Sequence, residues 1–274
     1  MAAEDMAADG DDPKSMTYGQ YLALDSVLSA QHPISEHHDE MLFIVIHQTK
    51  ELWLKQIVRE LKLARRLIAA DRLVEVHKIL SRVSRIQAVM TLSWDVLATL
   101  TPTDYVQFRG VLGGSSGFQS AQFREVEYLL GLKEGGFLKY HEVDSEPHRA
   151  LTAALAEPSL WDEANRALAR AGFALPESVT NRDWSLPYAP SDEVEEAWAQ
   201  VYRSHEERWP LYQLAEKLVD LDDSMATWRH KHVVTVERII GAKRGTGGTA
   251  GVAYLQSTVG KRAFPELWSL RTKL

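Results

Sequence analysis

Apolar residues recur along this chain at spacings of three and four, the period of an α-helix. In MLFIVIHQTKELW (Met41–Trp53) they crowd almost every side, with one histidine, His47, among them. The run is too short to span a membrane, and its density predicts burial where helices meet. It continues toward Arg72 as an amphipathic helix with Leu54, Ile57, Val58, Leu61, Ala64 and Ile68 on one stripe. A second long helix is predicted over 73–100, with Val83, Ile86, Met90 and Leu97 in step. A third, resuming after Pro210, places Leu221, Met225, Trp228, His232, Val236 and Ile239 on one face.

Boundary signals support the same reading. Thr17 is a candidate N-cap for a helix carrying Tyr18, Tyr21, Leu22 and Leu28 along one side. Thr101, Pro102 and Asp104 form a cap, first-turn proline and capping-box arrangement. Glycine-rich GVLGGSSGF interrupts that helix, and AQFREVEYLLGL resumes one. Prolines and paired glycines break 131–190 into short helices and loops. Ser191, followed by Asp192 and Glu193, restarts a helix; the glycine-rich GAKRGTGGTAG then precedes a last helix near Phe264-Pro265. No β-alternation, internal repeat or linker interrupts this. The expectation is an all-α fold: one helical domain over 17–274 behind an acidic, disordered tail over 1–16.

Composition narrows the chemistry. The 274 residues are 45% hydrophobic and 25% charged, ordinary for a globular protein. A net charge of −7 argues against a nucleic-acid partner. No stretch reaches the roughly 18 apolar residues of a membrane span. The N-terminus lacks the basic and apolar regions of a secretory signal, so a cytoplasmic location is expected. Cysteine is absent, which removes disulfides, thiolate nucleophiles and thiolate-held metals. A transition metal would have to rest on His, Met, Tyr or carboxylates.

His47 and His232 are the candidates for chemistry, because a buried imidazole needs partners for its nitrogens. Two apolar-face histidines on separate helices suit a flat, apolar, metal-centred group between them, such as haem. They are equally readable as core histidines bonded to backbone carbonyls. His230 is turned about 200° from His232, at roughly 100° per helical residue, so HKH cannot chelate one ion. HEERW fails the HExxH pattern, and GTGGTAG lacks the ending of a phosphate-binding P-loop. The glycine-rich segments can wrap a carboxylate or simply connect helices. Tyr105 and Arg109, four apart, face the same way; Arg109 could clamp a carboxylate or stack on Tyr105.

Long ordered blocks add more. HHDEMLFIVIHQTKELWLKQ, SRVSRIQAVMTLSWDVLATLTPTDYVQFRGVLGGSSGFQSAQFREVEYLLG, WRHKHVVTVERIIGAKRGTGGTAGVAYL and TYGQYLALD resemble the tryptophan 2,3-dioxygenases in a bacterial form, from about Tyr18 to Phe264. The resemblance implies an all-α, homotetrameric enzyme using ferrous haem b, which opens the indole ring of L-tryptophan with O2 to give N-formyl-L-kynurenine. It implies His232 as the axial iron ligand and His47 as the residue bonded to the indole N–H. Phe43 would pack on the indole, with Tyr105 and Arg109 in the substrate pocket, Arg109 on the carboxylate. Thr246 would meet the ammonium group and a propionate, and Ser116 and Gly117 would line the haem or substrate edge. Tyr18 and Tyr21 would reach into a neighbouring subunit's pocket. His47 would then find its partner in the ligand. The alternatives are a helical haem sensor or carrier, or a related indoleamine-type dioxygenase.

Overall fold

Thirteen helices and four short 3-10 turns make up residues 16–274, the part that the computed structural model describes; no strand is present among them. In order they are α1 (Tyr18–Leu22), α2 (Leu24–Leu28), α3 (His38–Ala69), α4 (Leu73–Leu97), α5 (Pro102–Arg109), α6 (Ala121–Leu130) and α7 (Glu146–Ala156). Then come α8 (Leu160–Arg170), α9 (Glu177–Thr180), α10 (Asp192–Arg203), α11 (Trp209–Ile240), α12 (Val252–Val259) and α13 (Pro265–Ser269). The acidic tail expected over 1–16 falls outside the described residues apart from Met16, which precedes α1 without regular structure.

The capping residues act as expected. Thr17 and Thr101 close capping boxes with Gln20 and Asp104, Pro102 and Pro210 occupy first turns, and Ser191 caps α10. The first helix is an exception: it breaks in two at Ala23, whose φ of 50° is left-handed. Ala23 N–H closes α1 onto Gln20 and Gly19 while the chain restarts at Leu24. No residue of α1 or α2 is buried, so no packing holds the pattern in one continuous helix.

α4 packs against both α11 and α3, and these three long helices form the frame. The main core runs through Leu54, Ile57, Leu61, Ala64 and Ile68 of α3, Val83, Ile86 and Met90 of α4, and Leu214, Leu218 and Leu221 of α11. Buried carboxylates fasten the rest of the chain to it. Asp222 accepts from the backbone of Ala263 at 3.1 Å and from Trp268 Nε1 at 3.0 Å, fixing the C-terminal segment. A second, smaller core of Ile46, Trp94, Leu97, Leu100, Phe108 and Ile239 joins the start of α3 to the ends of α4 and α11 and to α5.

The start of α3 corrects one expectation. Ile46 is buried, but Met41 and Val45 are exposed, as are Leu52 and Trp53 further on. Among the described residues of one chain, that side stays open to solvent.

Candidate active site

Phe43, His47, Lys50 and Leu54 succeed one another at spacings of three and four, so α3 presents all four to one side. They line a cavity together with Met90, Trp94 and Leu97 of α4 and Trp228, His232, Val236 and Ile239 of α11. The cavity leaves about 240 Å³ for the centres of water-sized molecules. An apolar cavity of roughly 150 Å³ already accepts a benzene ring, so this one holds more than a single aromatic ring. Tyr105 and Arg109 of α5, Ser116 and Gly117 of the first glycine-rich segment, and Thr246 of the second complete its more exposed lining. Eight residues predicted for the site from sequence are thus brought together: Phe43, His47, Tyr105, Arg109, Ser116, Gly117, His232 and Thr246. Tyr18 and Tyr21 are not; they lie on α1 and are each 75% exposed.

Among the described residues His47 has one hydrogen-bond partner. Its Nδ1 lies 2.7 Å from the carbonyl oxygen of Phe43, one turn earlier. A carbonyl can only accept, so the proton sits on Nδ1 and Nε2 carries the free lone pair. The expectation that His47 finds its partner in the ligand and not in the protein is corrected for Nδ1, which the Phe43 carbonyl already engages. Burial pushes the His47 pKa down to about 4, against the opposing pull of the Phe43 carbonyl. Burial pushes His232 further, to about 3, with Lys50 and His47 adding to the shift. Both rings are neutral at pH 7.

His232 receives no hydrogen bond among the described residues. The surface it keeps opens onto the cavity rather than onto bulk solvent. Its ring stacks on Trp94, with centroids 4.3 Å apart and planes 10° from parallel. Trp228 leans on the same ring at 5.3 Å.

The polar lining is organised from the two glycine-rich segments. Thr246 Oγ1 donates to the Ser115 carbonyl at 2.6 Å, which leaves its lone pairs free to accept from a cation. Arg109 donates from one terminal nitrogen to the Arg244 carbonyl. The first bond ties the segment around 245 to the segment around 115, and the second ties it to the end of α5. Lower in the cavity Glu127 accepts from Arg124 at 2.5 Å and from Arg229 at 2.8 Å. The group carries one net positive charge beside the cavity.

Sequence reasoning passed over Lys50, Trp94, Arg124 and Arg229. The signal for the first two was present: Lys50 is three residues after His47, and Trp94 continues the stripe of Val83, Ile86 and Met90. Arg229, four residues after Met225 and three before His232, shares the face marked on α11, whereas the inward face of α6, which carries Arg124, is identified only by the packing.

Fold and site define a class: an all-α protein in which two neutral imidazoles from different helices share an aromatic-walled cavity with a guanidinium and a hydroxyl. A family model described as tryptophan 2,3-dioxygenase matches residues 3–185 and 146–274. A tryptophan 2,3-dioxygenase of Caulobacter vibrioides is 62% identical over 261 residues, which are 95% of this chain and 99% of that protein. One of Bacillus cereus is 54% identical over 95% of this chain and 94% of its own length. One of Cupriavidus necator is 53% identical over 95% and 89%. The chain belongs to the tryptophan 2,3-dioxygenase family.

Proposed function

We infer that this protein adds both atoms of O2 across the indole C2–C3 bond of L-tryptophan and releases N-formyl-L-kynurenine, the first step in breaking that amino acid down. The observation that carries the reading is the pairing, in one cavity, of two neutral imidazoles with Arg109 and Thr246. A haem sensor or carrier needs the imidazole on α11 but no such pair for an amino acid.

The residues fit a haem. No group of three or more His, Asp or Glu among the described residues could cage a bare ion. A haem iron needs one neutral imidazole from the protein, and His232, neutral, open to the cavity and without a hydrogen bond among the described residues, would supply it. Leu54, Met90, Leu97 and Val236 offer apolar walls, while Ser116 and Gly117 lie along the edge. Bound there in its ferrous form, haem b supplies the oxygen binding and electron transfer that side chains lack.

Each remaining part of the task falls to a named side chain. His47 Nε2 accepts the indole N–H and sets the orientation of the ring. An imidazole that gains a proton only near pH 4 is too weak a base to remove that of an indole, so His47 holds the proton in place. Phe43 lies beside His47, with ring centroids 4.2 Å apart and planes tilted by 38°, and offers a flat wall to the indole. Arg109 grips the carboxylate bidentately, and Thr246 accepts from the ammonium. The apolar walls keep water from the reacting atoms. Tyr18 and Tyr21 are proposed to complete the pocket of a neighbouring subunit in a homotetramer, which their exposure supports. A cytoplasmic location belongs to the same proposal; no described helix is long and apolar enough to cross a membrane.

The test is the absorption spectrum of purified protein with and without L-tryptophan, followed by product formation under air. The expected result is a Soret band that shifts on adding L-tryptophan, and accumulation of N-formylkynurenine. His232→Ala is expected to lose haem or to hold it weakly without turnover. No Soret band after haem supplementation would overturn the reading. An unchanged histidine-type spectrum in His232→Ala would move the axial role to another residue.

A further inference from the structure

Lys50 lines the cavity, and the reaction above has no use for it. It is 6% exposed, and its Nζ is buried without a hydrogen-bond partner among the described residues. No salt bridge among the described residues reaches it, and burial is the sole cause resolved for its lowered pKa. The ammonium instead lies over the face of Trp94, 2.9 Å from the ring centroid, and Trp94 stacks on His232. Helices α3, α4 and α11 therefore each contribute one member of a continuous contact from amine to indole to imidazole. Both histidines that feel Lys50, His47 and His232, are neutral, so neither repels nor compensates it. Glu51, Arg109 and the Arg124–Glu127–Arg229 group also line the cavity, and Glu51 is bonded to Gln122 rather than to Lys50.

A buried cation without a counter-charge is destabilising, and a methionine of similar length would avoid that cost. An aromatic face recovers part of it. What the arrangement does provide is a positive charge in a water-poor space, where electrostatic influence falls slowly with distance. Accepting an electron lowers the charge of an iron centre, and a neighbouring cation favours the lower-charge form.

We propose that Lys50 is a positioning residue that sets a positive charge against the Trp94–His232 stack and thereby favours the ferrous state of an iron held at His232. The proposal rests on the reading of His232 as axial ligand. The amine loses its proton at about pH 7 in the folded protein, so the charge is present in the acid half of the neutral range.

The experiment is spectroelectrochemical titration of the ferric–ferrous couple in the wild-type, Lys50→Met and Lys50→Arg holoenzymes at about pH 6.5. In Lys50→Met the ferric-to-ferrous ratio at a fixed potential is expected to rise at least tenfold, a downward shift of about 59 mV for one electron. Its ferrous form should also autoxidise faster. Lys50→Arg keeps the charge and should stay within about threefold of wild type. Thermal unfolding of Lys50→Met should be unchanged or higher, because an unpartnered charge has been removed. Should that variant not fold, Lys50→Gln carries the same readouts. A Lys50→Met potential equal to wild type, with a normal histidine-type spectrum, overturns this proposal alone. A wild-type spectrum without axial histidine overturns the ligand reading, and the proposal with it.

Discussion

One proton decides what His47 can do. The Phe43 carbonyl fixes it on Nδ1, and burial keeps a second proton off Nε2 until about pH 4. His47→Ala is therefore expected to retain haem and to lose only part of its turnover, because orientation is weakened while the oxygen-activating group remains. Haem content and N-formylkynurenine formation in the same preparation check this. An inactive variant with haem correctly bound would mean that a base is obligatory. Arg109 works differently. One of its nitrogens is engaged by the Arg244 carbonyl, which holds the guanidinium where a carboxylate can meet the rest of it. A charge-assisted bond of this kind is worth roughly 1.5 to 3 kcal/mol. Arg109→Ala should then lower kcat/KM for tryptophan by about tenfold to a hundredfold. Tryptamine, which has no carboxylate, should be affected far less. Equal losses on both substrates would make Arg109 structural.

At the scale of elements, the two glycine-rich segments are one unit. A Cβ on Gly247 would come within 2.7 Å of Ser116 Cβ, and one on Gly251 would meet the Lys243 carbonyl at 2.4 Å at a φ of +62°. Gly247 leaves room for the Ser116 side chain of the other segment, and Gly251 for a carbonyl of its own; with both in place Thr246 Oγ1 reaches the Ser115 carbonyl. Gly247→Ala should separate the segments, raising KM for tryptophan several-fold while the long helices, and with them His232, stay in place. Steady-state kinetics beside the haem spectrum would show it; a KM equal to wild type would leave the two segments energetically independent. This docking was not legible in the sequence, where GGSSG and GTGGTAG read equally well as connectors, because it depends on two segments 130 residues apart touching. The helices themselves were legible. Caps such as Thr101 with Asp104 act within one turn, and the stripes of α3 and α4 bury the residues that their spacing marks, while that of α11 buries Leu221, Met225 and Ile239 and turns the half-buried Trp228, His232 and Val236 to the cavity. The spacing also placed His47 and His232 on apolar faces. It could not say which nitrogen of His47 stays free, nor that Lys50 would end without a partner, since both follow from packing between helices.

At the scale of the whole molecule, buried neutral bases make the fold sensitive to acid. The unfolded chain binds histidine protons near pH 6.5, whereas His47 and His232 in the fold bind them only near 4 and 3. Between these values the unfolded state holds more protons, so stability falls as pH falls from about 6.5 toward 4. The contribution of His47 alone is on the order of 3 kcal/mol. The denaturant midpoint of haem-free protein should drop over that range, and His47→Gln should flatten the curve; an unchanged slope would mean that the ring is solvated in solution. The exterior has a different imbalance. Tyr18, Tyr21, Leu28 and Ile34 project from the N-terminal helices and the loop after them, while Met41, Val45, Leu52 and Trp53 project from α3, all of them exposed in one chain. So much apolar surface on neighbouring segments is what an obligate interface of about 2,000 Å² or more requires. If Tyr18 and Tyr21 complete a neighbour's pocket, assembly and substrate binding are linked. Deletion through Ser26 should then shift the protein to smaller species in sedimentation and weaken tryptophan affinity together, while deletion of residues 1–15 changes neither. A longer deletion that leaves a fully active monomer would separate the two and return both tyrosines to the role of surface residues.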